Sequence, residues 1–395
     1  MQNNENENLV WGLTKNRLFF WGSVFSLLGT IVGAGIFGLP YIFAKIGWQA
    51  SLALFIFLAA IILFVHFNYV FVVLRTEGKH RLAGYAQIHL GNWAKVVEVF
   101  STIIGYTGGL LVYGILAGIF LSKLIPWMDS FQLTILFFLV GGILIYFKQV
   151  LFLKVESILS IILAGLLLVI IFYGLNYVKL ENFFIPAQLD LKYILLAYGA
   201  VLFSLSGVVA IPEIVGSFFQ ANLNNISFKY VSKIILTGTL LAALLTLLFS
   251  FVIVGISGGS TSLDGLTGVG SILGKWIIIF GSVVGFLAVA TSHVPFGLNA
   301  RHVLAYDFGF SKTLAILIVT FLPLGLFLLG LRNFIPIIGA LGAVFGGIDS
   351  ILILAIAAKI RRQAQIRISF INAVSYFAVA IFLVGIILEM YFLFS

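Results

Sequence analysis

Long apolar stretches separated by short polar segments fill almost the whole chain. A helix crosses a hydrocarbon core of about 30 Å with about 20 apolar residues. Eleven stretches of this kind predict eleven transmembrane helices, near residues 17–40, 49–74, 94–121, 131–147, 153–174, 193–214, 230–256, 272–293, 312–330, 334–357 and 370–393. The ninth and tenth are the hardest to separate, because only Arg332 and Asn333 interrupt the apolar run there.

The first and sixth stretches share an unusual arrangement of glycine and proline. The first reads GTIVGAGIFGLP and the sixth reads FSLSGVVAIPEI. Gly35 precedes Pro40, and Gly207 precedes Pro212, by the same spacing, and the two pairs are 172 residues apart. The same offset brings the second to fifth stretches close to the seventh to tenth. The pattern therefore predicts two repeats of five helices plus an eleventh helix, and an odd number per repeat makes the repeats inverted.

Matching breaks in inverted repeats point to a transporter binding site. Non-helical backbone at membrane depth is tolerated only where protein or a water-filled cavity surrounds it. Glycine permits unusual dihedral angles and proline interrupts the helical hydrogen bonds. Free amides at the start of a half-helix attract a carboxylate. The sequence thus predicts a substrate site where the first helix breaks at Gly33-Ala34-Gly35. Close helix packing through Gly29 and Gly33 is the alternative for that helix taken alone.

Composition and charge agree with a membrane protein and fix its expected orientation. Hydrophobic residues make up 62% of the chain and charged residues only 9%, against about 25% charged in soluble domains. With a cytoplasmic N-terminus, 16 of the 22 Lys and Arg residues lie in cytoplasmic segments, as the positive-inside rule requires. The C-terminus is then extracytoplasmic. The net charge of +9 faces anionic lipid headgroups, so we expect a lipid bilayer and no nucleic acid as partner.

These patterns divide the chain into five parts. They are a disordered cytoplasmic N-terminus (1–16), a first inverted repeat (17–174), an extracellular loop (175–192), a second inverted repeat (193–358) and an eleventh helix (370–395). The Asn- and Glu-rich start has no signal-peptide pattern. We expect a multi-pass protein of the cell membrane that acts as a monomer.

Enzymatic chemistry has little support. The chain has no cysteine, its five histidines show no metal-ligand spacing, and no Walker A motif is present. We expect no cofactor. A transporter-fold receptor that senses amino acids without net transport is the alternative function, although such a protein would usually carry a long tail or an added domain.

Three segments resemble a known group of carriers. GTIVGAGIFGLPY, FSLSGVVAIPEI and LAVATSHVPFGLNARHVLAYDFGFSK resemble the amino acid/auxin permease group of the amino acid-polyamine-organocation superfamily. Within that group the sequence is most similar to bacterial aromatic and hydroxy amino acid permeases of the tryptophan/tyrosine type. The resemblance implies an all-α, LeuT-type 5+5 inverted-repeat fold. It also implies secondary transport of amino acids, aromatic or otherwise neutral, by alternating access.

The same resemblance implies a set of substrate-binding residues. Those expected to meet the substrate carboxylate, on the first helix, are Thr30, Gly33, Ala34 and Gly35. Those expected to offer carbonyls to the ammonium group and to shape the side-chain pocket, on the sixth helix, are Phe203, Ser204, Ser206 and Gly207. On the third helix, Tyr113 is either an aromatic residue facing the substrate or a core tyrosine, and Tyr106 is the second choice.

Sodium is favoured over the proton as the coupling ion. The eighth helix contains an A-x-x-T-S string that resembles a sodium site of several carriers with this fold. Its ligands would be the hydroxyls and carbonyls of Gly29, Val32, Ala288, Thr291 and Ser292. The alternative is that both hydroxyls simply bond carbonyls of their own helix.

A proton relay would need a titratable group at membrane depth. Some proton-coupled relatives carry a lysine in the fifth helix, but here that helix has only Lys154, at its cytoplasmic end. The remaining candidates are Asp349, His293, Glu213 and Glu389, and Asp349, inside the tenth helix, is the possible proton relay. We expect His293 to be solvated or salt-bridged near a helix end, and His66 to be a hydrogen-bonded core residue.

Overall fold

Sixteen α-helices account for most of the chain that the computed structural model describes. The described residues are 2–394 without residue 79 and segments 148–150, 185–189, 221–226 and 367–368, and without the side chains of 2–16, 147, 151–158, 219–220, 271, 306–307 and 394. The helices are α1 (Gln2–Ile31), α2 (Gly35–Ile46), α3 (Trp48–Arg75), α4 (Leu82–Leu90), α5 (Asn92–Leu124), α6 (Ser130–Phe147), α7 (Leu151–Leu175), α8 (Leu191–Leu205), α9 (Ala210–Gln220), α10 (Phe228–Ser257), α11 (Gly270–Leu273), α12 (Lys275–Asp307), α13 (Lys312–Leu328), α14 (Phe334–Ala340), α15 (Gly347–Gln363) and α16 (Ser369–Phe394). A π-helical segment, Leu341–Gly346, joins α14 to α15.

Each of the eleven predicted spans coincides with a helix or a helix pair. Within the described residues, seven helices are long and apolar enough to cross a membrane, and the bent pair α1–α2 makes an eighth. The remaining three predicted spans coincide with shorter apolar helices of 10–17 residues, in α6, α7 and α13. A short non-helical stretch separates α13 from α14, which places the boundary between the ninth and tenth spans where the sequence predicts it.

Three boundaries differ from the sequence prediction. The eighth span continues to Asp307 instead of ending near residue 293, because Pro295 does not break α12. Membrane helices tolerate proline when neighbouring groups satisfy the freed backbone. The first span continues beyond Pro40 as α2, to Ile46. Helix α1 begins at Gln2, inside the segment predicted to be disordered, and extending an existing helix avoids the cost of a new nucleus.

The two predicted breaks lie at corresponding places in the two repeats. The first span is interrupted between Ile31 and Gly35, and the sixth between Leu205 and Ala210. Each broken span is followed by four further spans, formed by α3, α5, α6 and α7 in the first repeat. The second repeat continues with α10, α12, α13 and the α14–α15 unit, and α16 follows as the eleventh span.

Glycines bring the sixth and tenth spans into backbone contact beside these breaks. A Cβ on Gly199 of α8 would lie 2.6 Å from the carbonyl carbon of Gly339, and one on Gly342 would lie 2.7 Å from the amide nitrogen of Phe203. Only residues without side chains permit so close an approach. Helix α8 also packs against α2, so the two breaks and the π-helical segment lie together in the interior.

Candidate functional site

The first break exposes backbone amides at the start of α2. Val32 still donates to Leu28, at 2.8 Å, but Gly33 donates to Ile31, at 3.0 Å, and the chain then turns by 55° into α2. No described hydrogen bond uses the amides of Ala34, Gly35 or Ile36, and no side chain caps this helix. Buried amides rarely lack partners, so this helix start is built to receive an acceptor.

The second break exposes backbone carbonyls at the end of α8. Ser206 donates to Phe203 at 3.4 Å, and Ala210 donates to Gly207 at 3.1 Å as α9 begins. In the described chain, no backbone amide donates to the carbonyls of Ser204 or Leu205. A helix C-terminus carries partial negative charge, so this end suits a cation such as an ammonium group.

Direct packing joins the two helix ends. A Cβ on Gly35 would lie 2.8 Å from the Cα of Ser204. The positive end of α2 and the negative end of α8 are therefore neighbours. Together they form a dipolar site whose two poles match the two charged groups of a zwitterion.

The third and eighth spans complete the site opposite Gly33. The Tyr113 hydroxyl of α5 and the Ser292 hydroxyl of α12 each lie 3.6 Å from the position that a Cβ on Gly33 would take. The Tyr113 hydroxyl therefore lies beside the first break, and its ring is buried. Phe296 of α12 extends this wall, with its ring 5.5 Å from that of Tyr113 and 4.5 Å from that of Tyr106.

A cavity of about 1200 Å³ contains this site. Eleven of the fifteen predicted site residues line it, and they are Gly29, Thr30, Gly33, Ala34, Gly35, Tyr113, Phe203, Ser206, Thr291, Ser292 and Asp349. Its wall reaches Arg75, the last residue of α3, and Glu77 and Gly78 just after it, and all three are exposed. The cavity therefore opens to one end of the helix bundle.

An aromatic cluster closes the other end. The Phe37 ring of α2 lies 5.0 Å from Phe120 of α5 and 5.8 Å from Phe249 of α10, and all three rings are fully buried. None of them lines the cavity. In the part of the chain that the structure describes, the cavity therefore opens on the side of Arg75 and Glu77 and ends below this cluster.

Four predicted residues lie behind the cavity wall. Val32 and Ala288 are buried, and both would contribute a carbonyl, not a side chain. The Ser204 hydroxyl donates to the carbonyl of Ala200, at 2.7 Å, so its side chain is occupied within α8. Gly207 donates its amide to Nε2 of His66, at 3.2 Å, so its amide is held by α3.

His66 anchors the broken sixth span. Its Nε2 accepts from Gly207, and its Nδ1 lies 3.1 Å from the Thr239 hydroxyl of α10. Accepting at Nε2 puts the ring proton of a neutral imidazole on Nδ1. The interpretation of His66 as a hydrogen-bonded core residue is confirmed. The expectation for His293 is wrong, because α12 continues past it and its buried ring packs among Tyr113, Phe137 and Phe138.

Of the residues predicted to bind sodium, some have free oxygen atoms and others are already hydrogen-bonded. No described backbone amide donates to the carbonyls of Gly29 or Val32. The Thr291 hydroxyl donates to Leu287 at 2.8 Å and to Ala288 at 3.1 Å, and the Ser292 hydroxyl donates to Ala288 at 3.0 Å. The hydroxyl oxygens keep lone pairs for an ion, but the carbonyl of Ala288 is already occupied.

The sequence interpretation missed Glu98. This residue is on α5, lines the cavity and is only 2% exposed. Its carboxyl group accepts from Thr102, next to Ser101, which donates to Asp349. It precedes most of the apolar run of the third span, so nothing in the sequence pattern marks it as buried.

Comparison with known proteins identifies the fold and the family. The model of the tryptophan/tyrosine permease family matches residues 16–392. MhsT in complex with L-phenylalanine superposes with a TM-score of 0.63, at 16% identity over 93% of this chain and 98% of that chain. The nucleobase-cation-symport-1 family transporter Mhp1, in a closed conformation with bromovinylhydantoin bound, superposes with a TM-score of 0.61, at 12% identity over 94% and 90%.

At these identities the structural likeness is one of fold. It confirms the all-α, LeuT-type 5+5 inverted-repeat architecture with an eleventh helix. No curated protein matches the sequence.

Proposed function

The chain belongs to the tryptophan/tyrosine permease family, and from that premise we propose that it carries neutral amino acids, aromatic ones among them, across the cell membrane. The carboxylate binds the free amides at the start of α2, and the ammonium group binds the free carbonyls at the end of α8. The single observation that carries this proposal is the contact of Gly35 with Ser204, which puts both poles side by side. Charged hydrogen bonds of this kind contribute about 1.5–3 kcal/mol each.

The side chain of the substrate would lie against the aromatic wall of the cavity. Tyr106, Tyr113, Phe296 and Phe203 all line it, and edge-to-face contacts with another aromatic ring stabilise by about 0.5–1.5 kcal/mol. An apolar wall with two convergent polar groups favours a neutral amino acid with a large side chain. A substrate with a charged side chain would have to leave that charge unpaired against the rings.

We place the N-terminus in the cytoplasm, on the distribution of Lys and Arg. The cavity then opens to the cytoplasm, because Arg75 and Glu77 lie at its mouth. In this state the carrier releases or accepts substrate on the inner side. Separation of the Phe37, Phe120 and Phe249 cluster would open the other side.

We further propose that a sodium gradient drives uptake. The ion would lie between the free carbonyls of Gly29 and Val32 and the hydroxyls of Thr291 and Ser292. A hard cation prefers several oxygen ligands, and unwound helix carbonyls provide them. The carbonyl of Ala288 already accepts hydrogen bonds from both hydroxyls. This carbonyl can bind the ion only when the two hydroxyl hydrogens rotate away from it.

Thr291→Ala should raise the sodium concentration for half-maximal uptake by about tenfold, since one oxygen ligand worth roughly 1.4 kcal/mol is lost. The measurement is amino acid uptake into proteoliposomes at fixed pH, over a series of sodium concentrations and a panel of amino acids. Thr237→Ala is the matched control, because the Thr237 hydroxyl also bonds a carbonyl of its own helix, at 2.8 Å, but does not line the cavity. Uptake that is equal with and without sodium would reject this ion site.

A further inference from the structure

A pair of carboxyl groups connects the third and tenth spans inside the cavity. Glu98 of α5 and Asp349 of α15 both line the cavity, and two consecutive residues of α5 bind their carboxyl groups. Thr102 donates to Oε1 of Glu98, and Ser101 donates to Oδ1 of Asp349, each at 2.9 Å. Both donors come from α5, and they fix the two carboxyl groups against one another.

One oxygen of this pair has no partner. Oε2 of Glu98 is buried and has no hydrogen-bond donor among the described residues. An ionised carboxylate is acceptor-only, so two ionised groups could not bond each other. A single proton between them supplies the missing donor. The geometry of the pair therefore matches one acid and one carboxylate.

Charge leads to the same conclusion. Within the described chain, Arg81 forms an ion pair with Glu213, at 3.7 Å. No described Lys, Arg or His forms one with Glu98 or Asp349. Two like charges in contact and without a counter-ion are strongly disfavoured in a low dielectric. Binding one proton changes the charge of the pair from −2 to −1 and replaces repulsion by a hydrogen bond.

The groups around the pair leave its charge uncompensated. Tyr69 of α3, Tyr85 of α4 and Tyr106 of α5 line the same cavity, and a tyrosine carries no charge at physiological pH. Arg81 and Glu213 lie nearer the mouth of the cavity, where they are exposed and paired with each other. Asp349 is partly exposed to the cavity, which gives a proton a route between the pair and solvent.

We propose that Glu98 and Asp349 together form a binding site for one exchangeable proton, separate from the residues proposed to bind sodium. The site is built from two helices of different repeats, so its protonation controls how α5 and α15 meet. With the proton bound, the two helices are held together. With the proton released, repulsion separates them at the cytoplasmic half of the cavity.

An infrared pH titration of the full chain in lipid tests the site without reference to transport. The protonated pair should show the carbonyl stretch of a buried carboxylic acid, and this band should disappear as pH rises. The double variant E98Q/D349N should lack the band. Glu213→Gln, at an exposed carboxylate on the same cavity, should retain it. The proposal is overturned if the double variant keeps the band, or if the wild type shows none at any pH where it is folded.

A transport readout extends this test and rests on the proposed function. Glu98→Gln replaces the shared proton by a fixed amide donor, so the pair resembles its protonated form at every pH. The pH dependence of sodium-driven uptake in the wild type should therefore be lost in Glu98→Gln. Exchange of amino acid across the membrane without a gradient should persist. Wild-type pH dependence in Glu98→Gln would contradict the role, whereas absence of all amino acid transport would contradict the proposed function and leave the infrared result standing.

Discussion

Gly33→Leu should abolish amino acid uptake while the protein remains folded in the membrane. A Cβ at Gly33 would lie 3.6 Å from the hydroxyls of Tyr113 and Ser292 and 3.9 Å from the ring edge of Tyr113. These are ordinary van der Waals distances. The rest of a leucine side chain would extend into the cavity and occupy the place of the substrate. Losing two charged hydrogen bonds of about 1.5–3 kcal/mol each corresponds to a decrease of at least about 100-fold.

Two companion variants separate blockage of the site from damage to the fold. Gly33→Ala adds only the tolerated Cβ, so uptake should persist with weaker substrate affinity. Gly22→Leu is the matched control, because Gly22 lies on the same helix, is exposed, and has nothing within 4 Å of its Cβ position. The measurements are initial uptake rate and thermal unfolding of the purified protein. Normal uptake by a folded Gly33→Leu protein would remove the substrate site from this position.

Unlike Gly33→Leu, which should remain folded, Gly199→Ala should destabilise the fold itself. The new Cβ would lie 2.6 Å from the carbonyl carbon and 2.9 Å from the Cα of Gly339, and both are backbone atoms that no rotamer change can move. Forcing extra volume into packed structure costs about 1–3 kcal/mol. The sixth and tenth spans would separate beside the second break, with a lower midpoint of thermal unfolding and a smaller yield of folded protein.

The same addition at a glycine with free space should have little effect. Gly216→Ala is suitable, because nothing lies within 4 Å of its Cβ position in α9. Both variants are compared by thermal unfolding in detergent and by size-exclusion profile. If Gly199→Ala unfolds at the wild-type temperature, the close approach of α8 to the tenth span does not hold.

The hydrophobic pattern was enough to predict the spans, the two repeats and the two breaks. Gly33 and Gly207 could be recognised because glycine and proline recur at the same spacing in corresponding helices, and backbone at membrane depth must be satisfied. Tyr113 was identified as a candidate from the resemblance to known carriers and not from the hydrophobic pattern. Helical spacing shows which residues share a face, but not which neighbour that face meets.

Other parts of the site depend on contacts between distant residues. Glu98 and Asp349 are 251 positions apart, and neither is marked as a partner of the other. The π-helical segment Leu341–Gly346 widens the tenth span beside Gly199. The local helix propensity of these residues does not predict a π-helix. The Ser204 hydroxyl is satisfied within its own helix, as serines in membrane helices often are, so only its carbonyl is left for the predicted contact with the ammonium group.

A carrier and a receptor with the same fold differ in whether the amino acid crosses the membrane. In the proposed function, a zwitterion enters the cavity from one side. Release on the other side requires the cluster of Phe37, Phe120 and Phe249 to open. A receptor could bind the same ligand with equal affinity and leave this cluster closed.

Solute counterflow tests this central claim most directly. Proteoliposomes loaded with unlabelled amino acid are diluted into a trace of labelled amino acid, with no gradient of sodium or protons. We predict transient accumulation of label, which is inhibited by unlabelled amino acid but not by the corresponding amine without a carboxylate, and which is absent in Gly33→Leu. Binding of the labelled amino acid to the folded protein without any accumulation inside the vesicles would contradict the account.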